Sequence, residues 1–244
     1  MRFAIHGRKS NENSLNCIRH LLAELRGRQA HIEISDTLFA HLQDSSINHP
    51  AELVYPSQEG VPDVDFVISI GGDGTLLETV THIRNKEIPV LGINVGRLGF
   101  LATVSQDEIT AAIGALFQDQ YSYDHRTLIE TQGTTSIPAE LNFALNELTV
   151  IKKDTSTMIV AHTYLDDRYL NSYWADGLII STPTGSTGYS LSCGGPVVSP
   201  QSSNLIITPI SPHNLTVRPL VVSDQSQITI RVESRSDSYL IALD

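Results

Sequence analysis

Residues 68–77 read Ile-Ser-Ile-Gly-Gly-Asp-Gly-Thr-Leu-Leu. Three glycines, Gly71, Gly72 and Gly74, surround one carboxylate, Asp73. An apolar run ends just before them, and a segment with helical spacing follows. Glycine lacks a Cβ, so it can take φ > 0 and let a ligand approach the backbone. Successive N–H groups in such a turn form an anion nest, and a helix start adds positive dipole. A carboxylate among phosphate-binding groups is costly unless it serves Mg²⁺ or a reacting hydroxyl. The pattern points to phosphoryl transfer, with Gly71, Gly72, Gly74 and Thr75 on phosphate. Gly-Asp-Gly is also ordinary turn chemistry, so the strand–turn–helix context carries the inference.

Two further segments could do chemistry. Leu145-Asn146-Glu147 stands just before a β-run. Residues 174–190 read Trp-Ala-Asp-Gly-Leu-Ile-Ile-Ser-Thr-Pro-Thr-Gly-Ser-Thr-Gly-Tyr-Ser, a buried strand followed by a loop of hydroxyls and glycines. Hydroxyls and free N–H groups read ribose, amide and phosphate, and the Tyr189 ring could stack on a base or pack a nicotinamide. Taken singly, Asn146 is a turn residue, Glu147 a surface carboxylate and the loop a solvated Ser/Thr turn. Arg8, Lys9, Arg97, Lys152, Lys153 and Arg218 could meet phosphates, though any one of them alone reads as a solvated surface cation.

The elements that must position these residues change character along the chain. The first hundred residues alternate strand and helix: strand 3–6, helix 13–28, strand 31–34, a short helix 36–42, strand 64–70, helix 75–85 and strand 89–93. Leu15, Ile18, Leu22 and Leu25 share one face of the first helix. Residues 43–63 read mostly as loop. Ser105 is an N-cap for a helix through Phe117, with Glu108 at the capping-box position. Such alternation means a parallel sheet with helices on its faces. From Tyr121 onward no long amphipathic helix stands out. β-rich runs occupy 127–130, 147–151, 158–165, 177–181, 205–208, 215–222, 227–232 and 239–243, separated by Pro, Gly, Ser, Asn and Asp. The expected architecture is an α/β, Rossmann-like N-terminal domain over 1–118 and an all-β sandwich over 119–244.

The bulk properties narrow the function. A chain of 244 residues has length for a real core. Its net charge of −11 argues against a nucleic-acid or anionic-membrane surface as main partner, but not against a small anionic ligand. No apolar run approaches a bilayer span, and the N-terminus carries no secretory-signal pattern. Cys17 and Cys193 make neither a disulfide framework nor a metal cluster, so a reducing, cytoplasmic setting is the default.

Several segments in order now resemble one family. The Gly71–Thr75 turn is followed by Gly92-Ile93-Asn94, Gly96-Arg97-Leu98-Gly99-Phe100-Leu101, Asn146-Glu147, Asp176-Gly177, the 181–190 loop, Gly194-Gly195-Pro196 and Pro209-Ile210-Ser211-Pro212-His213. Together they are similar to the ATP-NAD kinase family over the whole chain. The resemblance implies transfer of the γ-phosphoryl of ATP, or of a polyphosphate, to the adenosine-ribose 2′-hydroxyl of NAD⁺. The products would be NADP⁺ and ADP, and Mg²⁺ or another divalent ion would accompany ATP. It implies that Asp73 is catalytic, orienting or deprotonating the hydroxyl or holding the metal, with Gly71, Gly72 and Gly74 cradling phosphate; on charge, Arg8 and Lys9 are expected to join them and Thr75 there. Asn146 and Glu147 would hold the adenosine part of NAD. Thr184, Thr187 and Tyr189 would line its pocket, with Ser192 nearby, and Phe100 and Leu101 would form an apolar wall. Asp176 would lie near the nicotinamide, where a neighbouring subunit can supply it, so a homodimer or homotetramer is implied. NADP(H) is a plausible feedback ligand. Family members continue past the point where this sequence stops at Asp244, so further β-structure and a returning tail are expected.

Three other classes share features. Lipid kinases of the diacylglycerol or sphingosine type carry a similar Gly-Gly-Asp-Gly-Thr turn. They would need an apolar cleft or membrane-facing patch, which the charge and the Ser/Thr loop disfavour. Phosphofructokinase-like sugar kinases use a similar turn, without a second matching segment here. A non-catalytic NAD sensor would tolerate Asn at position 73.

Overall fold

The computed structural model describes residues 1–8, 12–43, 53–96, 99–133, 137–153, 157–235 and 238–244. The chain divides into two compact units, Met1–Tyr123 and Asp124–Asp244.

The first unit runs β1 (Arg2–Gly7), α1 (Glu12–Gly27), β2 (His31–Ser35), α2 (Asp36–Gln43), β3 (Leu53–Tyr55), β4 (Phe66–Gly71), α3 (Asp73–Ile83), β5 (Val90–Asn94) and α4 (Ile109–Phe117). The five strands form one parallel sheet in the order β3-β2-β1-β4-β5. Its central strands are buried on both faces, as parallel strands under helices must be. Phe3, Ile5, Ile68 and Ile70 pack with Ile18, Leu21, Leu22 and Leu25 of α1 and Ile113 of α4. Ala4 and Val67, one residue out of phase, face the other way and pack with Ile83 of α3. The Ser105–Glu108 capping box is present and opens a short 3₁₀ turn before α4. β3 lies in the stretch read mostly as loop. It has three residues with Leu53 and Val54 exposed, too short and too near the sheet edge to show a period.

The second unit holds β6 (Ile129–Glu130), β7 (Phe143–Ala144), β8 (Glu147–Lys152), β9 (Ile159–Leu165), β10 (Arg168–Ala175), β11 (Gly177–Ser181), α5 (Tyr189–Ser192), β12 (Asn204–Ile210), β13 (Leu220–Ser223), β14 (Ile228–Ser234) and β15 (Tyr239–Leu243). A sheet β13-β12-β11-β8-β15 and a sheet β10-β9-β14 are antiparallel throughout, and β6 pairs with β7. Leu178, Ile180, Leu205 and Ile207 of the first sheet pack with Ala161 and Tyr173 of the second, which makes a sandwich core. β10 escaped the sequence reading because Arg168, Asn171 and Ser172 dilute its apolar pattern. Its signal was Asp166-Asp167, whose φ values of 51° and 64° make the two-residue hairpin turn joining β9 to β10.

Candidate functional site

β4 leads directly into the glycine turn. Gly72 is the N-cap of α3 and offers no side chain to its first N–H groups, while Thr75 N–H and Leu76 N–H return to the Gly72 carbonyl. Asp73 and Gly74 lie in the first helical turn, where N–H groups have no intrahelical acceptor. Of Gly71, Gly72 and Gly74, only Gly71 takes a positive φ. Gly72 has φ −99° and Gly71 is extended at 159°. The demand at Gly71 is steric, since a Cβ there would lie 2.2 Å from Thr75 Oγ1.

The Asp73 carboxylate points at the segment after β5 and accepts three backbone N–H groups. Phe100 N–H reaches Oδ2 at 2.8 Å, and Leu101 and Ala102 reach Oδ1 at 3.0 and 3.1 Å. Burial pulls its pKa up, but the three N–H bonds together outweigh that and leave it below the usual aspartate value. A Cβ on Gly99 would lie 2.2 Å from Asp73 Oδ1, so only glycine lets the loop close on the carboxylate. Asn94 braces the same loop: Oδ1 accepts Gly96 N–H at 2.7 Å and Nδ2 donates to the Ala102 carbonyl at 3.3 Å. Phe100 therefore meets Asp73 through its backbone, and its ring is 75% exposed. Arg8 is paired with Glu78 of α3. Lys9 and Arg97 lie outside the described residues.

In the second unit the Asn146-Glu147 corner is held from two sides. The Asp244 carboxylate accepts Leu145 N–H at 2.6 Å, Asn146 N–H at 2.8 Å and Glu147 N–H at 3.0 Å. Thr182 N–H donates to the Asn146 carbonyl at 2.8 Å, and Thr182 Oγ1 to the Leu145 carbonyl at 2.5 Å. A Cβ on Gly185 would lie 2.2 Å from the Asn146 carbonyl oxygen, so the 184–187 turn lies flat against the corner.

Glu147 is raised above the usual glutamate pKa. Burial is the main cause and the nearby Asp244 charge adds to it, while N–H bonds from Ser190 and Tyr189 act the other way. Its Oε2 is buried with no hydrogen-bond partner among the described residues. Such an acceptor is expensive unless a donor reaches it.

The hydroxyls of the loop divide in two. Thr182, Ser186 and Ser190 are fully buried and bonded internally: Ser186 Oγ accepts Val198 N–H at 3.2 Å, and Ser190 Oγ meets Thr208 Oγ1 at 2.8 Å. Thr184 Oγ1 is taken by Arg126 at 3.3 Å. Thr187, Tyr189 and Ser192 remain at least partly exposed. Asp176 is paired with Lys152 at 2.6 Å, and Arg218 donates to the Leu215 and Val217 carbonyls of its own loop. Gly99, Asn94, Arg126 and Asp244 received no role from the sequence alone. Their signals were Asn94 and Gly99 within the motifs of the family resemblance and Asp244 closing a β-run.

Known proteins match this layout unit by unit. The ATP-NAD kinase N-terminal domain model matches residues 27–121 and the ATP-NAD kinase C-terminal domain model matches residues 145–244. The NAD kinase of Cytophaga hutchinsonii is 46% identical over 245 residues, covering all of this chain and 84% of the relative. The chain belongs to the NAD kinase family. The NAD kinase of Flavobacterium johnsoniae is 45% identical over 250 residues with the same coverage. A yeast NADH kinase in complex with NADH has a TM-score of 0.85 at 26% identity, covering all of this chain and 75% of that one. An NAD kinase from Archaeoglobus fulgidus in complex with ATP has a TM-score of 0.77 at 26% identity, covering all of this chain and 84% of that one. The α/β N-terminal part and β-sandwich C-terminal part expected from the sequence are both those of this family. The comparisons lend no support to a lipid kinase or a sensor. Among the described residues no helix is long and apolar enough to cross a membrane.

Proposed function

We propose that this chain transfers the γ-phosphoryl of ATP to the adenosine-ribose 2′-hydroxyl of NAD⁺, making NADP⁺ and ADP, with Asp73 as the catalytic carboxylate. One observation carries the assignment: Asp73 stands at the uncapped start of α3, oriented by three N–H groups. Phosphoryl transfer asks the protein mainly for positioning and charge stabilisation. A carboxylate held below its usual pKa is a weak base. Asp73 therefore works chiefly as a fixed, ionised acceptor that orients the hydroxyl. The open N–H groups of Asp73 and Gly74 and the α3 dipole receive phosphate oxygens, and Gly71 lets Thr75 pack under the turn.

Mg²⁺ bound with the donor nucleotide would offset charge on its phosphates. Asp73 Oδ2 accepts one N–H where Oδ1 accepts two, so it keeps acceptor capacity for a hydroxyl or a metal-bound water. Oxygen donors of this kind fit a hard cation.

In the second unit Glu147 Oε2 takes a ribose hydroxyl as its missing donor. Asn146, held beside it, and the outward groups Thr187, Tyr189 and Ser192 line the adenosine pocket. Asp176 serves the nicotinamide end through the arm it shares with Lys152. Thr184 acts by fixing Arg126. A cytoplasmic homo-oligomer with NADP(H) feedback belongs to the same proposal, and titrating NADPH into the assay without inhibition would remove the feedback part. The deciding test is NADP⁺ formation from NAD⁺, ATP and Mg²⁺. Asp73→Asn should lower kcat by about 10²–10⁴-fold with NAD binding retained. A variant that turns over like the native chain would overturn the assignment of Asp73.

A further inference from the structure

His6 of β1 and Glu78 and His82 of α3 form a cluster that the proposed reaction does not use. Each can offer one ligand atom, and the three atoms lie within 4.8 Å of one another. His6 is fully buried, with Nε2 3.1 Å from Glu78 Oε2, and its ring meets His82 edge-on at 4.5 Å between centroids. His6 Nε2 faces the Glu78 carboxylate at hydrogen-bond distance, while His82 Nδ1 is buried without a hydrogen-bond partner among the described residues. A buried imidazole nitrogen left unpaired beside a second imidazole and a carboxylate is unusual and calls for an explanation.

We infer that His6, Glu78 and His82 form a binding site for a borderline divalent cation of the Zn²⁺ class, separate from the Mg²⁺ that accompanies ATP. Two imidazoles and one carboxylate are a three-residue donor set that suits zinc, leaving a position for water, whereas magnesium prefers oxygen donors.

The surroundings supply the orienting bond that such a histidine needs. Ser35 Oγ lies 3.1 Å from His6 Nδ1, 3.0 Å from Thr37 Oγ1 and 3.3 Å from Leu38 N, whose N–H it accepts. A Ser35 hydroxyl that donates to Thr37 accepts the hydrogen bond of His6 Nδ1–H, and His6 Nε2 then presents its lone pair to the cluster. Zinc ligands stand roughly 3.4 Å apart for bonds of about 2.0–2.1 Å, so the His6–Glu78 pair at 3.1 Å already stands close enough and the wider separations, up to 4.8 Å, must close by as much as about 1.4 Å. Glu78 is partly exposed, and Arg8, which shares its carboxylate, has a side chain 61% exposed and free to swing outward. The bound cation would tie β1 to α3, the helix that begins with Asp73.

The test uses the full chain, free of any histidine tag, with Co²⁺ as a spectroscopic probe and Zn²⁺ in competition against a chromophoric chelator. One equivalent of Co²⁺ should bind with the visible absorption of a four-coordinate N/O site, and Zn²⁺ should displace it while excess Mg²⁺ does not. Glu78→Gln and His82→Gln, both at partly exposed positions, should each weaken zinc by at least about tenfold with circular dichroism unchanged. Absence of stoichiometric binding, or binding unaltered in both variants, would overturn the inference. Neither outcome bears on NADP⁺ formation, because the readout is metal affinity alone.

Discussion

Each unit places a carboxylate with a shifted pKa at its candidate site, and their surroundings push the two in opposite directions. Burial acts upward on both. Three N–H groups outweigh it at Asp73. At Glu147 two N–H bonds do not, because burial weighs most there and the Asp244 charge adds to it. Asp73 is thus complete before any ligand arrives: ionised, oriented and fenced by Gly99. Glu147 is left one donor short at Oε2. In the proposed function, the donors supplied by the fold separate the two: Asp73 would orient the reacting hydroxyl, and Glu147 would receive a ligand hydroxyl.

The largest break in this comparison is Asp73→Asn, whose amide removes the charge and puts an NH2 where one carboxylate oxygen accepted N–H, at a cost in turnover as described above. Gly99→Ala should come next. It leaves Asp73 in place chemically but inserts a Cβ 2.2 Å from Oδ1, and displacing a positioned group by about an ångström costs on the order of 10²-fold. Steady-state kinetics should show the loss in kcat with KM for NAD little changed; the reverse split would detach the loop from the chemistry.

Glu147→Gln should do the opposite, raising KM for NAD by roughly tenfold, the effect of about 1.4 kcal/mol for one hydrogen bond to a charged group. In the native chain, NAD affinity should tighten as pH rises through the Glu147 pKa and ionises the acceptor, and the variant should show a flat profile. A sloping profile in Glu147→Gln would assign that titration elsewhere.

Stability separates the two carboxylates by sign. Asp73, depressed when folded, contributes stability above the ordinary aspartate pKa of 3.8 that is lost as pH falls through its lower folded value. Glu147, raised when folded, contributes below the ordinary 4.5, and that contribution is lost as pH rises through its higher folded value. Thermal unfolding of Glu147→Gln should therefore sit above wild type at neutral pH and converge with it below pH 4.5. Convergence at neutral pH instead would mean that Oε2 is already satisfied.

The smallest effect on turnover is expected at Asp244→Ala, which acts first on folding stability. Removing an acceptor shared by three N–H groups should cost about 1–3 kcal/mol, because water reaches part of this exposed corner. Calorimetry would detect the loss, and KM for NAD should rise with it. An unchanged KM would show that the Asn146-Glu147 corner does not depend on Asp244.

The elements of the first unit were legible because their signals are local. α1 buries Leu22 and Leu25 at helical spacing, β4 is apolar up to the glycines, and the Ser105–Glu108 box lies within four residues. Asp73, Asn146 and Glu147 were legible as chemistry because a carboxylate among glycines and an Asn-Glu pair before a strand are rare enough together to name a family. What the residue types could not show is which groups are already occupied. The Ser/Thr loop reads as uniformly available, yet the fold buries Thr182, Ser186 and Ser190 in its own bonds and leaves Thr187, Tyr189 and Ser192 outward.

The sequence by itself determined the strand–turn–helix, the β-rich second half and the residue types at the site, since these depend on neighbours a few positions apart. Tertiary structure alone decided that the backbone of residues 100–102 seats Asp73 and that Asp244 seats the corner 97 to 99 residues before it. Backbone N–H groups are the same in every residue but proline, so no pattern of side chains could announce which of them would converge on a carboxylate.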